Sequence, residues 1–458
     1  MNQLYKAHFR FGTIFLMIGV IGCTRVSNVR SLKAPPKEDL NLKSLEGFQA
    51  DVVAVISDGD VYAQSLLGNP LTPYGDMRFA DQITMLNRED TKGVKVSVAV
   101  SNSVAGPPEV FSITPDGHFA VVVETTGQRS VSSKKISELP RGSRITIVNL
   151  RELDRPRIVS EVNVGFRPQS VDINHDGRWI AIGGDQEGKG FLQVFRFHDG
   201  EMKESFIFSV DETTEMLSKD SRPSEVSLVQ WHPRELILCT HLFRQDRVVF
   251  FKFRPDLKSR TLQPWGKAVD VGPDPFVGRF FPSGRYYLTA NWGRNFEAEI
   301  VFDRLPKSFS ELALIRLGDR SRPHEVVQKV KTAPSPEGIA VSTDGTTVAT
   351  VNMQNTLYSI AKPEVYNDLA KISFYRLNEK QGGSLEVVGS TSFHGFLPEG
   401  GTFDRSGKYF FSTVFQDTAM NSEYGILKVF RVPSFVDSDV EHIGDIRVPH
   451  GVHHVIIR

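Results

Sequence analysis

Hydrophobic and polar positions alternate along most of this chain, in pairs of short β-forming runs. One example is PSPEGIAVSTDGTTVATVN, residues 334–352, in which a Pro-Glu pair precedes the first run and an Asp-Gly pair follows it. The second run ends at Asn352. Because Gly accepts the positive φ that a tight hairpin turn needs, this segment predicts two antiparallel strands.

The same order of features occurs six times. The repeats begin at prolines 108, 168, 223, 275, 336 and 398, so successive copies are 52 to 62 residues apart, and the copy at 223 has His-Pro-Arg-Glu in place of the Gly turn. Each copy is followed by runs rich in β-branched and aromatic residues, such as RITIVNL (144–150), EIVFDRL (299–305) and KISFYRL (371–377). Four strands in a repeat of this length predict the blades of a β-propeller.

The two ends of the repeat region predict a seventh blade. The segment VPHGVHHVIIR (448–458) begins like a repeat and contains one strand, while DVVAVISDGDVYAQSL (51–66) supplies further strands. We therefore predict an all-β fold over residues 49–458, a seven-bladed β-propeller of four-stranded antiparallel blades. Pairing of N- and C-terminal strands in one blade closes the ring and removes exposed strand edges.

Two of these runs carry a resemblance to known families. YYLTAN (286–291) and VATVN (348–352) resemble the Tyr-Val-Thr-Asn motif of YVTN repeats, and PEGIAVSTDG (336–345) resembles the repeat start shared with seven-bladed lactonase-like propellers. The resemblance covers about residues 50–458 and implies the propeller fold of the WD40/YVTN-like superfamily. These families include sugar lactonases, surface-layer proteins and members without known chemistry, so the resemblance assigns no catalytic residue here.

The N-terminus predicts export. Residues 1–10 carry two basic residues and no acidic one, and residues 11–22 form an apolar run that is too short to span a bilayer, as in a signal peptide. The following VIGC resembles the bacterial lipobox, in which Cys23 becomes the lipidated first residue; a plain export signal or a short uncleaved anchor is the alternative. Thr24 in place of Asp implies, by the same resemblance, the outer membrane and a location facing the periplasm. Residues 23–48, with Pro35-Pro36, are predicted to form a tether.

The charge and the cysteine content of the chain limit the kinds of partner that it is expected to bind. The chain has 54 basic and 54 acidic residues, so no global field attracts nucleic acid. Cys239 lies in an apolar run and is predicted to be buried and inert. We expect a monomer that reaches a membrane only through Cys23 and binds a protein, a glycan or a small molecule.

Candidate ligand-binding residues follow from the repeat register. The residue after each repeat proline, or in the copy at 223 the second residue after it, is expected at the rim of the central channel, and the second strand returns to the same face. The predicted rim residues are Glu109, Gln169, Glu225, Glu337, Glu399 and His450 from strand starts, with His241, Asn291 and Asn352 from strand ends. The structural alternative is that these side chains cap strands or bond to their own turns.

Two functions remain open from the sequence. Long loops at 125–143, 353–370 and 416–424 on the rim face favour a tethered binding scaffold. The alternative is a lactonase-like hydrolase of a sugar lactone, in which a rim carboxylate such as Glu337 or Glu399 acts as general base and His450 or His241 aids proton transfer. No cofactor is expected, except that an acidic rim could hold a divalent cation such as calcium.

Overall fold

The fold is seen in a computed structural model of the chain. It describes residues 39–86, 95–214, 220–257, 261–295, 298, 303–305, 310–319, 321–358, 367–417, 422–434 and 439–458. The predicted signal peptide, Cys23 and most of the predicted tether lie outside these ranges. None of the helices within them is long and apolar enough to cross a membrane.

Seven antiparallel sheets form the blades of a propeller, which confirms the predicted fold class. We number six of them in chain order, and the strands of each are given from the channel outwards. Blade 1 contains Phe111–Ile113, Phe119–Val123, Arg144–Asn149 and Arg157–Asn163, and blade 2 contains Arg167–Ile173, Trp179–Gln186, Lys189–His198 and Glu201–Ser209. Blade 3 contains Val226–Trp231, Ile237–Leu242, Arg247–Phe253 and Leu262–Pro264, with Val269–Asp270 also paired to its third strand.

The remaining blades follow the same order. Blade 4 contains Pro275–Phe280, Tyr286–Asn291, Ser310–Arg316 and Glu325–Thr332; blade 5 contains Pro336–Val341, Thr347–Asn352, Leu369–Asn378 and Ser384–His394; blade 6 contains Gly401–Phe403, Tyr409–Val414, Tyr424–Arg431 and His442–Pro449. The closing blade contains Val452–Ile457, Val53–Ser57, Gln82–Leu86 and Lys95–Ala99. Short helices in the described ranges are α-helical at Val210–Thr214 and 3₁₀ at Leu42–Ser44, Ala63–Leu67, Met77–Phe79, Ile136–Glu138, Phe243–Gln245, Thr356–Tyr358 and Glu379–Gln381.

The predicted turns with glycine join the first two strands in blades 1, 2, 4, 5 and 6. In blade 5, Gly345 has φ +74°, and the Asp344 carboxylate accepts hydrogen bonds from the Ser342 hydroxyl and the Thr346 amide. Blade 3 lacks this turn glycine. There the His232 ring nitrogen Nδ1 accepts from the amides of Arg234 and Glu235, so a side chain supplies the turn's acceptor.

The ring closes as predicted. Val452–Ile457 pairs antiparallel with Val53–Ser57, with Val455 opposite Val55, and becomes the innermost strand of a blade whose other strands are N-terminal. Gly451, at φ +82°, precedes this strand, and a Cβ added there would lie 1.9 Å from the Asp58 carbonyl oxygen. Only glycine allows the two ends of the fold to approach this closely.

The structure differs from the prediction in two places, the third strand of blade 4 and the residue at which the packed region begins. The third strand of blade 4 is Ser310–Arg316, whereas EIVFDRL lies partly outside the described residues and forms no strand over 303–305. The folded unit begins at Asp39 rather than at residue 49. Leu42, Leu45 and Phe48 are buried against blade 6 and the closing blade, so residues 39–48 pack on the propeller instead of forming part of a solvated tether.

Cys239 is fully buried in the second strand of blade 3, as predicted. Burial raises the pKa of its thiol well above the usual value, so the reactive thiolate is disfavoured.

Candidate functional site

The channel opens into a cavity at each end. At the face where the inner strands begin, a cavity of about 470 Å³, the upper cavity, is lined by the starts of five inner strands and by the loops above them. Its charged and amide lining residues are Arg167, Gln169, Glu225, Arg244, Arg294, Arg304, Glu337 and Glu399. At the opposite face a lower cavity of about 430 Å³ is lined by inner-strand residues of all seven blades.

Two Pro-Glu-Gly sequences place neighbouring carboxylates in the upper cavity. Glu337 and Glu399 each follow the proline that opens an inner-strand segment, in blades 5 and 6, and each precedes a glycine. A Cβ on Gly338 would lie 2.1 Å from the Glu399 carbonyl oxygen, so the glycine permits the close approach of the two blades. Adjacent blades therefore present two glutamates side by side.

Both glutamates are buried, with 2% and 3% of their surface exposed. Burial raises the pKa of Glu337 to about 8, an effect that the nearby Arg294 guanidinium partly offsets. Burial, followed by the charges of Glu337 and Asp58, raises the pKa of Glu399 well above its ordinary value. Oε2 of Glu399 is buried without a hydrogen-bond partner and lies 3.9 Å from Nδ1 of His453. The pair is therefore poised to hold a proton or to exchange one with a ligand.

Arg294 supplies positive charge beside this pair. Its guanidinium stacks on Trp292 at 4.5 Å from the ring centroid, and it donates to the Ser335 hydroxyl and, at 2.8 Å, to the Tyr358 hydroxyl. The side chain is 3% exposed. These contacts fix the guanidinium, so its charge is preorganised toward the cavity.

The other side of the cavity also mixes acidic and basic groups. Burial and then the charge of Asp185 raise the pKa of Glu225, while Arg244, Arg167 and Arg304 act in the opposite direction. Gln169 donates to Asp185 at 3.2 Å, and its own Oε1 is buried without a hydrogen-bond partner. An anionic or polyhydroxylated ligand suits such a lining.

The structure thus brings Gln169, Glu225, Glu337 and Glu399 together as predicted, but it places Glu109 elsewhere. Glu109 lines the lower cavity, where it forms an ion pair with Arg279 and lies 3.8 Å from Nε2 of His454. Burial alone would raise the pKa of Glu109, but the charges of Arg279 and His454 lower it. Its carboxylate is already paired within the channel.

The two histidines predicted at the rim lie in the core. His241 Nε2 is 2.7 Å from the Tyr287 hydroxyl and its Nδ1 is 3.2 Å from the Pro275 carbonyl, and burial lowers its pKa to about 3. Nε2 of His450 donates to the Val61 carbonyl at 2.9 Å, and the ring packs against Tyr62, Phe79 and Phe415. Neither side chain lines the upper cavity.

The two asparagines at strand ends make equivalent structural bonds. Asn291 donates to the Val271 carbonyl at 2.8 Å, and Asn352 donates to the Ala333 carbonyl at 2.6 Å. In each case the hydroxyl of the threonine two residues earlier donates to the asparagine Oδ1. The Thr-x-Asn end of the second strand therefore ties the strand to the chain that enters the blade, which is the structural alternative weighed for these residues.

Three further acidic side chains at the same face were not predicted from the repeat register. Asp58 and Asp60 follow the second strand of the closing blade, Asp81 precedes the third, and one carboxylate oxygen of each lies within 4.8 Å of the others. The signal was present as Asp58-Gly-Asp60 at a strand end. Arg294 was also missed, because it lies in an irregular segment that no repeat register places.

Comparisons with known proteins agree on the fold. No protein-family model matches the chain, and no curated protein matches it. Among solved structures, the periplasmic gluconolactonase PpgL of Pseudomonas aeruginosa is similar with a TM-score of 0.61 and 16% identity, over 89% of this chain and 99% of that one. A putative 6-phosphogluconolactonase from Bacteroides uniformis has a TM-score of 0.58 and 18% identity, over 90% and 100% of the two chains. A second putative 6-phosphogluconolactonase, from Bacteroides fragilis, has a TM-score of 0.59 and 14% identity, over 89% of this chain and 98% of that one. At these identities the likeness confirms the lactonase-like seven-bladed propeller as a fold.

Proposed function

We propose that this propeller is a hydrolase that opens sugar lactones in the upper cavity. The observation that carries the proposal is the buried pair Glu337 and Glu399 beside the fixed guanidinium of Arg294. The likeness to solved structures named as gluconolactonases supports the substrate class. A fold alone hosts many functions, so the side chains of the cavity carry the argument.

The proposed reaction uses the two carboxyl groups in different protonation states. Ionised Glu337 takes a proton from water as the water oxygen bonds to the lactone carbonyl carbon. Protonated Glu399 donates a hydrogen bond to the carbonyl oxygen, and the charge of Arg294 stabilises the oxyanion. The ring C–O bond then breaks, its electron pair goes to the ring oxygen, and the proton held by Glu337 passes to that oxygen, leaving a hydroxy acid.

The test is hydrolysis of a panel of aldonolactones, with and without a phosphate group, above the spontaneous rate. Glu337→Gln should lower kcat by about 10²-fold or more, because a general base contributes about that much. Glu386→Gln, on an exposed strand position, is the matched control and should leave kcat unchanged. The rate should rise with pH through about 8, where Glu337 ionises. Hydrolysis that is insensitive to Glu337→Gln would contradict the proposal.

A second candidate is binding without turnover, the scaffold role predicted from the loops. Trp292 and Tyr358 line the upper cavity, and Trp292 stacks on Phe276 at 4.4 Å between ring centroids. Aromatic faces beside carboxylates and guanidinium groups suit a glycan or another small polar ligand. Saturable binding of a sugar by wild type and by Glu337→Gln, with no product formed, would favour this role over hydrolysis.

We also propose that the protein is exported and anchored through Cys23. The support is the sequence pattern of residues 1–23 and the fold shared with a protein named as periplasmic. Metabolic labelling with an alkyne fatty acid should mark the wild-type chain and not Cys23→Ser. Labelling of both, or of neither, would leave the anchor without support.

A further inference from the structure

We propose that Asp58, Asp60 and Asp81 form a binding site for one divalent cation, of the calcium type, at the seam where the ring closes. None of the three aspartates lines the upper cavity, and the proposal does not depend on the proposed hydrolysis. The three carboxylates offer one oxygen each, and these oxygens lie within 4.8 Å of one another. Oxygens on opposite sides of a calcium ion are separated by about 4.8 Å, since each bond is ~2.4 Å.

A buried oxygen without a partner points to a ligand at this place. Asp58 is 1% exposed, and its Oδ2 accepts from the Val104 amide at 2.8 Å. Its Oδ1 is buried and has no hydrogen-bond partner. A buried carboxylate oxygen left without a partner is costly, and a cation between the three aspartates would supply one.

The acidic side chains at the site also outnumber the basic ones. Arg129 is the basic side chain that acts on Asp60, and its guanidinium donates to the Thr72 carbonyl at 3.0 Å. With a cation bound, three ionised carboxylates and one guanidinium would carry a formal charge of two negative units, which a divalent cation neutralises.

The backbone holds the three aspartates together. Gly59 separates Asp58 from Asp60, and a Cβ there would lie 2.6 Å from the Ala80 carbonyl oxygen, so glycine lets the segment before Asp81 approach. Asp81 accepts from the Gly59 amide at 3.0 Å. The Asp58 amide in turn donates to the Gly451 carbonyl at 3.0 Å, next to the closing strand. A cation at this site therefore links the N-terminal strands to the seam they share with the C-terminal strand.

Oxygen ligands alone favour a hard cation, and calcium chloride is the probe. Purified full-length protein, stripped with a chelator, should bind one calcium ion per chain by isothermal titration. At a hundredfold excess over Kd, its Tm should rise by about 2–5 °C, because the ion binds the native state only.

Variants of the aspartates and of the cavity glutamates show which of the two sites binds calcium. Asp58→Asn and Asp60→Asn should each weaken calcium binding at least tenfold and abolish the shift in Tm. Without calcium, Asp58→Asn should be no less stable than wild type, because it removes repulsion between buried carboxylates. If Asp58→Asn does not fold, the more exposed Asp60→Asn gives the same test. The double variant Glu337→Gln/Glu399→Gln and the turn variant Asp344→Asn should keep the calcium shift in full.

Two results would overturn the proposal. One is the absence of calcium binding to the stripped wild-type protein, which would mean that the carboxylates share protons instead. The other is a calcium shift that survives in Asp60→Asn and disappears in the cavity double variant, which would place the ion on the glutamates.

Discussion

Glu337 is held where its ionisation opposes folding. Its pKa of about 8 in the fold exceeds the ordinary value of 4.5, so between these pH values the unfolded chain loses a proton that the folded chain keeps. The unfolded state then binds fewer protons, and the free energy of unfolding falls as pH rises. Such a cost to stability is expected of a group that takes part in chemistry, the role proposed above for Glu337.

We therefore expect the Tm of wild type to fall relative to that of Glu337→Gln as pH rises from about 4.5 to about 8. Above pH 8 the difference should level off, because the carboxyl group is then ionised in both states. Differential scanning calorimetry of the two proteins across this range measures the difference. Glu386→Gln should run parallel to wild type. A constant difference between wild type and Glu337→Gln would show that the carboxyl group is not buried in its neutral form.

His241 has the opposite pH dependence. Burial lowers its pKa to about 3, while the unfolded chain titrates near 6.5, so acidification protonates the unfolded state first. The contribution of His241 to stability is complete above pH 6.5 and is lost as pH falls toward 3. Its ring is buried, with Nδ1 near the Pro275 carbonyl and Nε2 near the Tyr287 hydroxyl, so protonation would place a charge out of reach of water.

Replacing His241 with Gln should make acid unfolding less steep between pH 6.5 and 3, although the variant is less stable at pH 7. Urea unfolding at several pH values gives the slope directly. His198→Gln, at an exposed strand position, is the control. Equal slopes for His241→Gln and wild type would mean that other groups set the acid limit.

Among the secondary-structure elements, the second strand of a blade is anchored at its end by side-chain hydrogen bonds. In blades 4 and 5 a Thr-x-Asn end ties the strand to the chain entering the same blade. Asn352 makes two donor contacts there, to Ala333 and Thr332, and is fully buried. Such bonds hold the blade in register at the face where the upper cavity opens.

Asn352→Ala should lower the free energy of unfolding by about 2–3 kcal/mol, because it leaves a buried carbonyl without its donor. Chemical unfolding measures the loss, and the exposed Asn69→Ala should cost less than about 0.5 kcal/mol. A variant with unchanged stability and lost ligand binding would instead restore the predicted role of Asn352 at the rim.

Most strands could be predicted because their hydrophobic pattern is periodic. Contacts that depend on loops or on the direction of a side chain could not be predicted, because no periodic pattern describes them. The Pro-Glu-Gly starts placed Glu337 and Glu399 correctly because strand register alone decides where they lie. Glu109 and His241 failed because a long or buried side chain can turn to a partner in another blade, which is Arg279 for Glu109 and Tyr287 for His241. The approach of Asp81 to Asp58 depends on the fold of the intervening loop, which no short-range pattern describes.

At the scale of the molecule, the closing blade determines whether the ring exists. Its innermost strand supplies Val455, which is 1% exposed and lies opposite Val55. Without that strand, the inner edge of Val53–Ser57 has no partner, and an unpaired edge favours aggregation.

Deletion of residues 452–458 should therefore abolish the cooperative thermal transition and give aggregates in size-exclusion chromatography. Val455→Asp should have the same direction of effect, since it buries an unpaired charge at the seam, at a cost of about 4 kcal/mol or more. Deletion of residues 1–38 is the control and should leave the Tm unchanged, because the folded unit begins at Asp39. A truncated chain that melts like wild type would show that six blades suffice.

The pairing of Val55 with Val455 also sets a minimum time before the ring can close. The two residues are four hundred positions apart, and a ribosome adds about 5–20 residues per second, so the N-terminal strand waits on the order of 20–80 s for its neighbour to be made. During that interval the nascent chain carries three strands of a blade whose innermost member does not yet exist. The ring therefore cannot close before the last strand has been made, and the early strands must be kept from other partners until then.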